Sequence, residues 1–261
     1  WGILVSEFML QQTQVSRVIP LLAAWIERWP TPADLAADSP AEAVRMWANL
    51  GYPRRALWLH RAAEQIATRH DNVVPSDVDD LLELTGIGDY TARAVATFAY
   101  GLRHPVVDTN TRRVLARAIA ARSQPGPPAK RDLAEMLEIL PTDAAAAAIV
   151  NAATMELGAT VCTSRAPECD VCPIRHVCAW RLAGYPDTGD TRRKQSKYEG
   201  SDRQARGAAL RELRAAAARG IPIDMLLGDW HDPAQRDRAI SSLLDDGLIE
   251  VSNDNAHLPH A

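Results

Sequence analysis

The sequence predicts an all-α fold that ends in a small helix-and-hairpin module. Three observations carry this. Apolar residues recur at three- and four-residue spacing almost throughout, helix-start signatures punctuate the chain, and only the segment 247–258 reads as a pair of strands.

Trp1-Gly2-Ile3-Leu4-Val5 reads as the interior of a structured segment, and with Trp in first place the expectation is a natural start further upstream. Val15, Val18, Ile19, Leu22, Ile26 and Trp29 fall on one helical face, which is expected to pack into the core. Thr31-Pro32-Ala33-Asp34 and Ser39-Pro40-Ala41-Glu42 both read as capping boxes: the hydroxyl accepts from an early helical amide, the acid reaches back, and proline suits the first turn. Further helices are expected over 54–69, 76–84, 90–100, 109–121, 130–140 and 142–157. The stretch 184–204 has linker composition. Beyond it a helix over 204–219, a short helix near Asp224, a helix over 233–246 and strands over 247–251 and 255–258 suggest a winged-helix-like module. Eight carboxylates from Asp224 to Asp254 face only Arg236 and Arg238 there, which argues against a major DNA-binding surface.

At 261 residues the chain exceeds a typical domain of ~150, so two compact units are expected. Hydrophobic residues at 47% and charged residues at 24% are globular values. No apolar run approaches the ~20 residues of a membrane span and no signal-peptide pattern opens the chain, so a soluble intracellular protein is expected. The net charge of −4 says nothing for nucleic acid, but its distribution does. Arg93, Arg103, Arg112, Arg113, Arg117, Arg122, Lys130 and Arg131 are opposed only by Asp89 and Asp108, a local +6 suited to phosphates or to a solvated helix face. Only three lysines occur, none in the first 129 residues, which excludes amine-based covalent catalysis from that half.

Cys162, Cys169, Cys172 and Cys178 are spaced C-x6-C-x2-C-x5-C. Four thiolates this close can surround one soft metal centre, either tetrahedral zinc or a cuboidal iron–sulfur cluster. Zinc sites usually pair two C-x2-C knuckles and only one is present, so the unequal spacing favours the cluster. Leu84-Thr85-Gly86-Ile87-Gly88-Asp89-Tyr90-Thr91 joins two expected helices. Its glycines permit positive φ and close backbone approach, and the amides opening the next helix suit a single phosphate.

The hairpin, Pro105-Val106-Val107-Asp108 and the cysteine spacing together resemble the helix-hairpin-helix DNA glycosylase superfamily. The run Ser6 to Val15, Leu50-Gly51-Tyr52 and Val107 to Arg117 resemble its adenine DNA glycosylase (MutY) branch, and the match runs from Trp1 to about Cys178. The resemblance implies a six-helix domain over 1–104, a 4Fe-4S cluster domain over 105–184 held by the four cysteines, a linker over 185–204 and the winged-helix-like module over 205–261. It implies a missing N-terminal helix, and a Nudix-like C-terminal domain where this chain has a different pattern.

The implied activity is base excision by a bacterial, cytoplasmic, nucleoid-associated monomer: hydrolysis of the N-glycosidic bond of adenine opposite 8-oxoguanine or guanine in double-stranded DNA. Glu7 would protonate the departing adenine and then assist water, while Asp108 would stabilise the oxocarbenium-like sugar, the two-carboxylate logic of retaining glycosidases. Glu7 lies among Ile3, Leu4, Val5, Phe8, Met9 and Leu10, where desolvation favours a neutral acid, and Asp108 opens a helix whose dipole favours a carboxylate. Tyr90 stands where lyases of the superfamily carry a lysine, implying no strand-cleaving step, and Asn110 matches a residue near the catalytic centre. Gln11, Gln12, Thr13, Leu50, Gly51 and Tyr52 would contact or wedge into the duplex, refilling the gap left by a flipped base. Gly86 and Gly88 would contact the backbone. A G:T mismatch thymine glycosylase and an iron–sulfur DNA-binding regulator are the alternatives.

Overall fold

The computed structural model describes residues 1–187, 197–216 and 220–260. Among them the chain is helical apart from three short strands, so the all-α expectation holds. It divides into two compact units, one of Trp1–Pro75, Glu83–Gly86 and Lys194–Ala261, the other of Ser76–Leu82 and Ile87–Arg193. Of the segment 1–104, residues 1–75 and 83–86 lie in the first unit and 76–82 and 87–104 in the second.

The first unit opens with α1 (Gly2–Leu10), α2 (Val15–Arg28), α3 (Pro32–Ala37), α4 (Pro40–Trp47) and α5 (Arg54–Arg69). Leu4, Val5, Phe8 and Met9 of α1 are fully buried with Trp25, Leu35, Trp47, Leu59 and Ile66. Trp25 packs edge-on to Trp29 and to Trp47, ring centroids 4.6 and 5.9 Å apart. The Trp1 indole donates to the Trp29 carbonyl at 2.9 Å. The buried side of α2 is carried by Val18 and Trp25, while Val15 and Ile19 are about 60% exposed, which corrects the expected face. Spacing alone did not show that the large Trp25 ring sets the helix rotation.

Thr31 and Asp34 form the expected capping box, with Thr31 N–H donating to Asp34 at 2.9 Å. Ser39 does not cap α4 through its side chain. Its acid partner is drawn elsewhere: Glu42 binds Arg28 and Arg45 at 2.7 Å each. Those charge-assisted bonds are stronger than a neutral cap bond, and they win.

The same unit holds the C-terminal module: α12 (Asp202–Ala215), β1 (Ile221–Pro222), α13 (Pro233–Asp245), β2 (Glu250–Ser252) and β3 (Asn255–His257). The antiparallel sheet has the order β1-β3-β2, and Val251 pairs with Ala256 across the hairpin. Asn253 and Asp254, both at positive φ, turn that hairpin as a two-residue primed turn demands. The order is helix, strand, helix, strand, strand, and β1 is a strand the expected helices-and-hairpin pattern did not include. The helix expected near Asp224 is instead a run of turns over 223–229, with Leu227 at φ +56 inside it. Most of the expected linker (188–196) and the end of the helix expected over 204–219 (217–219) lie outside the described residues. Arg214 of α12, buried, donates to the Val44 carbonyl at 3.1 Å; burial pushes its guanidinium down to about 10. The module is thereby fixed to α4.

The second unit comprises α6 (Val78–Leu82), α7 (Asp89–Tyr100), α8 (Thr109–Ala118), α9 (Lys130–Ile139), α10 (Ala144–Thr160) and α11 (Ala179–Leu182). Leu115, Met136, Leu140 and Ala147 form a core joined by Val107 and Val150. The arginine stripe expected to serve phosphates or solvent is largely internal. Arg113 and Arg117 are buried, Arg112 pairs with Asp132 at 2.7 Å, Arg103 donates to carbonyls of 140 and 141, and Arg93 pairs with Asp89 at 3.0 Å.

Candidate active site

Glu7 lies on the buried face of α1 in the first unit, 7% exposed among Leu4, Val5, Phe8 and Met9. A carboxyl group seldom occupies such a position without a function or a partner. Following α1, the chain turns through Gln12 at φ +55. The loop after α4 turns in the same way, with Ala48 at +47, Gly51 at +85 and Tyr52 at +48. Left-handed backbone in bulky residues costs about 1–3 kcal/mol each and needs surroundings that over-determine it.

Arg55 supplies those surroundings. Its guanidinium, 3% exposed, donates to the carbonyls of Phe8 (2.8 Å), Gln11 and Gly51 (3.2 Å) and to Thr13 Oγ1 (3.4 Å). Thr13 Oγ1 in turn donates to the Leu50 carbonyl at 3.2 Å, and the Trp47 indole to the Gly51 carbonyl at 2.9 Å. The Arg55 guanidinium also lies 5.2 Å from the Tyr52 ring centroid. Burial pushes it down to about 10, which leaves it charged at neutral pH. Gln11, Gln12, Thr13, Leu50, Gly51 and Tyr52 are therefore brought together. Gln12 and Tyr52 are exposed, whereas the Leu50 side chain is turned into the core.

Of the two hairpin glycines, Gly86 is at φ +80, and a β-carbon there would stand 2.7 Å from Trp58 Cβ and 3.0 Å from the Phe8 ring. Packing in the first unit thus requires glycine at 86. Gly88 differs from expectation. At φ −102 it caps α7 in extended conformation, with open space where a β-carbon would sit. Tyr90, half-buried, follows in the first turn of α7.

In the second unit Asp108 is the N-cap of α8. It accepts from Thr111 N–H at 2.7 Å and from Asn110 Nδ2 at 2.8 Å. Asn110 Oδ1 accepts from Arg113 at 2.8 Å, and Arg113 also donates to the carbonyls of Gly158 and of Cys162, the latter at 2.7 Å. A continuous hydrogen-bonded path therefore runs from Asp108 to the first cysteine of the motif. Gly158 is what lets it close, because a β-carbon there would meet Asn110 Cβ and its carbonyl oxygen at 2.7 Å.

Cys162, Cys169, Cys172 and Cys178, all free thiols, line one cleft. Burial pushes the Cys172 thiol up, and the other three cysteines add to the effect, so all four lie within electrostatic reach. Arg117 donates to Cys162 Sγ at 3.3 Å and lies 4.8 Å from the Trp180 ring centroid, a cation suited to thiolate charge. Four thiols around one cleft with a buried guanidinium at the rim fit an iron–sulfur cluster. Among the described residues, no three His, Cys, Asp or Glu side chains converge on a single-ion site. No helix among them is long and apolar enough to cross a membrane.

The sequence profile of the HhH-GPD superfamily, described as base excision DNA repair protein, matches residues 5–141. An adenine DNA glycosylase of Mycolicibacterium smegmatis is 54% identical over 254 residues, spanning 97% of this chain and 85% of the relative. The chain belongs to the adenine DNA glycosylase family of the HhH-GPD superfamily. The adenine DNA glycosylase of Homo sapiens is 39% identical over 182 residues, 69% of this chain and 33% of the human protein. The superfamily fold recurs in the structure of a thermostable thymine-DNA glycosylase (TM-score 0.64, 23% identity) and in a non-covalent endonuclease III–DNA complex (TM-score 0.61, 22% identity). Each covers 70% of this chain and 84% of its own. Within this adenine glycosylase fold, sequence reasoning missed Arg55, Arg113 as a bridge, Arg117 and Gly158. Arginine at a mostly apolar helix position was the available signal for the first three.

Proposed function

We propose that this chain is a monofunctional DNA glycosylase that hydrolyses the N-glycosidic bond of adenine opposite 8-oxoguanine or guanine. The observation that carries the reading is the pair of carboxyl groups on two helices of the family fold, Glu7 on the buried face of α1 and Asp108 at the N-cap of α8. Glu7 is buried among apolar side chains, and Asp108 is held by two N–H donors. The buried Glu7 is the candidate proton donor to the leaving purine, and Asp108, ordered by its N–H partners, the candidate group beside the developing sugar cation. The relatives named adenine DNA glycosylase support the choice of base. In this reading Glu7 delivers a proton to adenine, the bond to the sugar breaks, and Asp108 stabilises the oxocarbenium-like centre until water adds. Tyr90, with no lysine in the first 129 residues, supports hydrolysis without a Schiff base.

DNA enters the reading through Gln12 and Tyr52, exposed and rigidly backed, as the residues that fill the duplex where a base has left. Gly88 gives a phosphate close approach to the amides of α7. Cys162, Cys169, Cys172 and Cys178 would hold a 4Fe-4S cluster, which when bound serves as a structural centre for the 162–178 loop. The chain acts as a monomer in this reading.

Single-turnover excision on duplexes bearing A:8-oxoG, A:G, T:G and thymine glycol tests it. Adenine release from the first two is expected, together with its loss in Glu7→Gln while duplex binding survives. Thymine release alone, or parental rates in Glu7→Gln, would reject the assignment. Borohydride is expected to trap no covalent adduct.

A further inference from the structure

Three of the four cysteines are covered by the second unit itself. Arg117 donates to Cys162 Sγ at 3.3 Å, the Cys178 thiol donates to the Arg117 carbonyl at 3.7 Å, and Cys172 is buried. Cys169 differs. It lines the cleft that the four thiols share and also a second, outer cleft of about 460 Å³, together with Glu168, Asp170, Val171, Trp180 and Tyr185. The other three cysteines do not reach that outer cleft. Glu168, Asp170 and Val171 are exposed, so it opens to solvent, and its volume admits a small molecule.

Tyr185 stands between Cys169 and that solvent. The chain turns sharply after α11, with Gly184 at φ +76 and Tyr185 at +60. Left-handed backbone is costly for a tyrosine, and three contacts enforce it here. Tyr185 N–H donates to the Trp180 carbonyl at 2.9 Å, and the Trp180 indole N–H to the Pro186 carbonyl at 2.9 Å. The two rings meet edge-on, centroids 4.9 Å apart. The turn folds the phenol back, and its hydroxyl interacts with the Cys169 sulfur and the Arg181 guanidinium. Arg181 lines the four-cysteine cleft, and its Nε is buried without a partner, a donor suited to negatively charged sulfur. Glycine or asparagine would make an ordinary left-handed turn without strain. A tyrosine held there by its neighbours fixes where the phenol lies.

We propose that Tyr185 caps Cys169, and that Cys169 is the point at which small neutral electrophiles reach the metal centre. This rests on the reading that the four cysteines hold a cluster. With the turn closed, the ring shields the sulfur and the hydroxyl bonds to it; with the turn open, Cys169 meets solvent before its three partners do. Tyr185 acts through Cys169 and is a positioning residue.

The test is site-resolved alkylation of the iron-loaded full chain with limiting iodoacetamide. The sulfur supplies the electron pair of the new S–C bond and iodide leaves. Peptide mass spectrometry reads the initial rate at each cysteine. In the parent, Cys169 is expected to be labelled ahead of Cys162, Cys172 and Cys178. Tyr185→Ala is expected to speed labelling of Cys169 about tenfold, the scale of one aromatic pair in a local opening, and to leave the other three initial rates within about twofold. Tyr185→Phe keeps the ring and loses the hydroxyl, and its rate at Cys169 is expected to fall between the two. Another cysteine labelled first in the parent overturns the inference. So does an equal acceleration at all four in Tyr185→Ala, which is what general unravelling gives. If Tyr185→Ala does not fold, the parental order and a faster Cys169 rate in Tyr185→Phe decide. A parent that holds about four irons per chain yet labels its cysteines uniformly overturns this inference and leaves the cluster reading standing. A parent that binds no iron overturns the cluster reading, and this inference with it.

Discussion

Replacing Gly158 by alanine sets two effects of known sign against each other. Alanine is favoured over glycine inside a helix by about 1 kcal/mol, so propensity alone predicts a more stable protein. The structure predicts the reverse. The new β-carbon would stand 2.7 Å from Asn110 Cβ and from the Asn110 carbonyl oxygen, and 2.9 Å from the carbonyl carbon. Ordinary carbon contacts lie at about 3.5–4.0 Å, so α8 and α10 must part by roughly 0.8 Å. Two of the three atoms are backbone and cannot rotate away. Overpacking of this kind costs about 1–3 kcal/mol. The separation also stretches the bond from Arg113 to the Gly158 carbonyl, and a lost charge-assisted bond adds about 1.5–3 kcal/mol. The net expectation is a loss of roughly 1.5–5 kcal/mol, with excision falling because Asn110, which holds Asp108, is displaced. Urea unfolding of parent and variant reads the first, comparing midpoint and slope, and single-turnover excision reads the second. A variant as stable as the parent, or more so, would refute the close-approach argument.

Asp132→Asn is expected to destabilise the protein at neutral pH by about 3 kcal/mol, since Arg112 loses a largely buried ion-pair partner at 2.7 Å. Burial alone would raise the Asp132 carboxyl, but the Ala129 N–H and the Arg112 guanidinium outweigh it and hold it below the usual carboxylate range. Its contribution is therefore full above about pH 4 and lost as pH falls through the lowered value, so the gap between parent and variant measured by denaturation should close only in acid. Cys172→Ser should lower bound iron from about four atoms per chain and weaken duplex binding. Elemental analysis and titration check both, and unchanged iron content would remove Cys172 from the ligand set. Arg55→Lys should weaken DNA binding at least several-fold and lower thermal stability, because an ammonium has three donors and no planar fork to meet the carbonyls of Phe8, Gln11 and Gly51. Parental affinity in Arg55→Lys would show that the two loops hold their shape without it.

What the sequence disclosed was local. The helix over 54–69 was legible to the residue, because its apolar stripe and its flanking Pro53 and His70 agree. The cysteine cleft was legible from spacing, and so was the capping role of Asp108. Boundaries shifted where a single side chain intervened. The helix expected from Ser76 starts at Val78 because Asp77 accepts from the amides of Asp79 and Asp80. The rest depended on contacts across more than forty residues. Arg55 reaches back to Phe8, and Arg113 reaches forward to Cys162. No periodicity reports such a pair, and composition counts both arginines as surface charge. The stripe expected to serve phosphates or a solvated helix face has the same origin, and its members mostly satisfy internal carbonyls and carboxylates instead.

The positions of those misread arginines bear on how this family fold presents its loops. Gln12, Ala48 and Tyr52 each occupy backbone that non-glycine residues avoid, at a combined cost of several kcal/mol. Relaxed loops of the same length would be more stable, so the strain persists only because something enforces it. Arg55 is that element. It is desolvated, anchored to both loops at once, and backed by the Trp47 indole on the Gly51 carbonyl. A loop ordered before its ligand arrives does not lose that conformational entropy on binding. Insertion into a base stack already costs a few kcal/mol. A rigid Gln12 and Tyr52 therefore shift the ordering cost from the encounter with DNA to the folding of the protein, where the α1 and α5 core absorbs it.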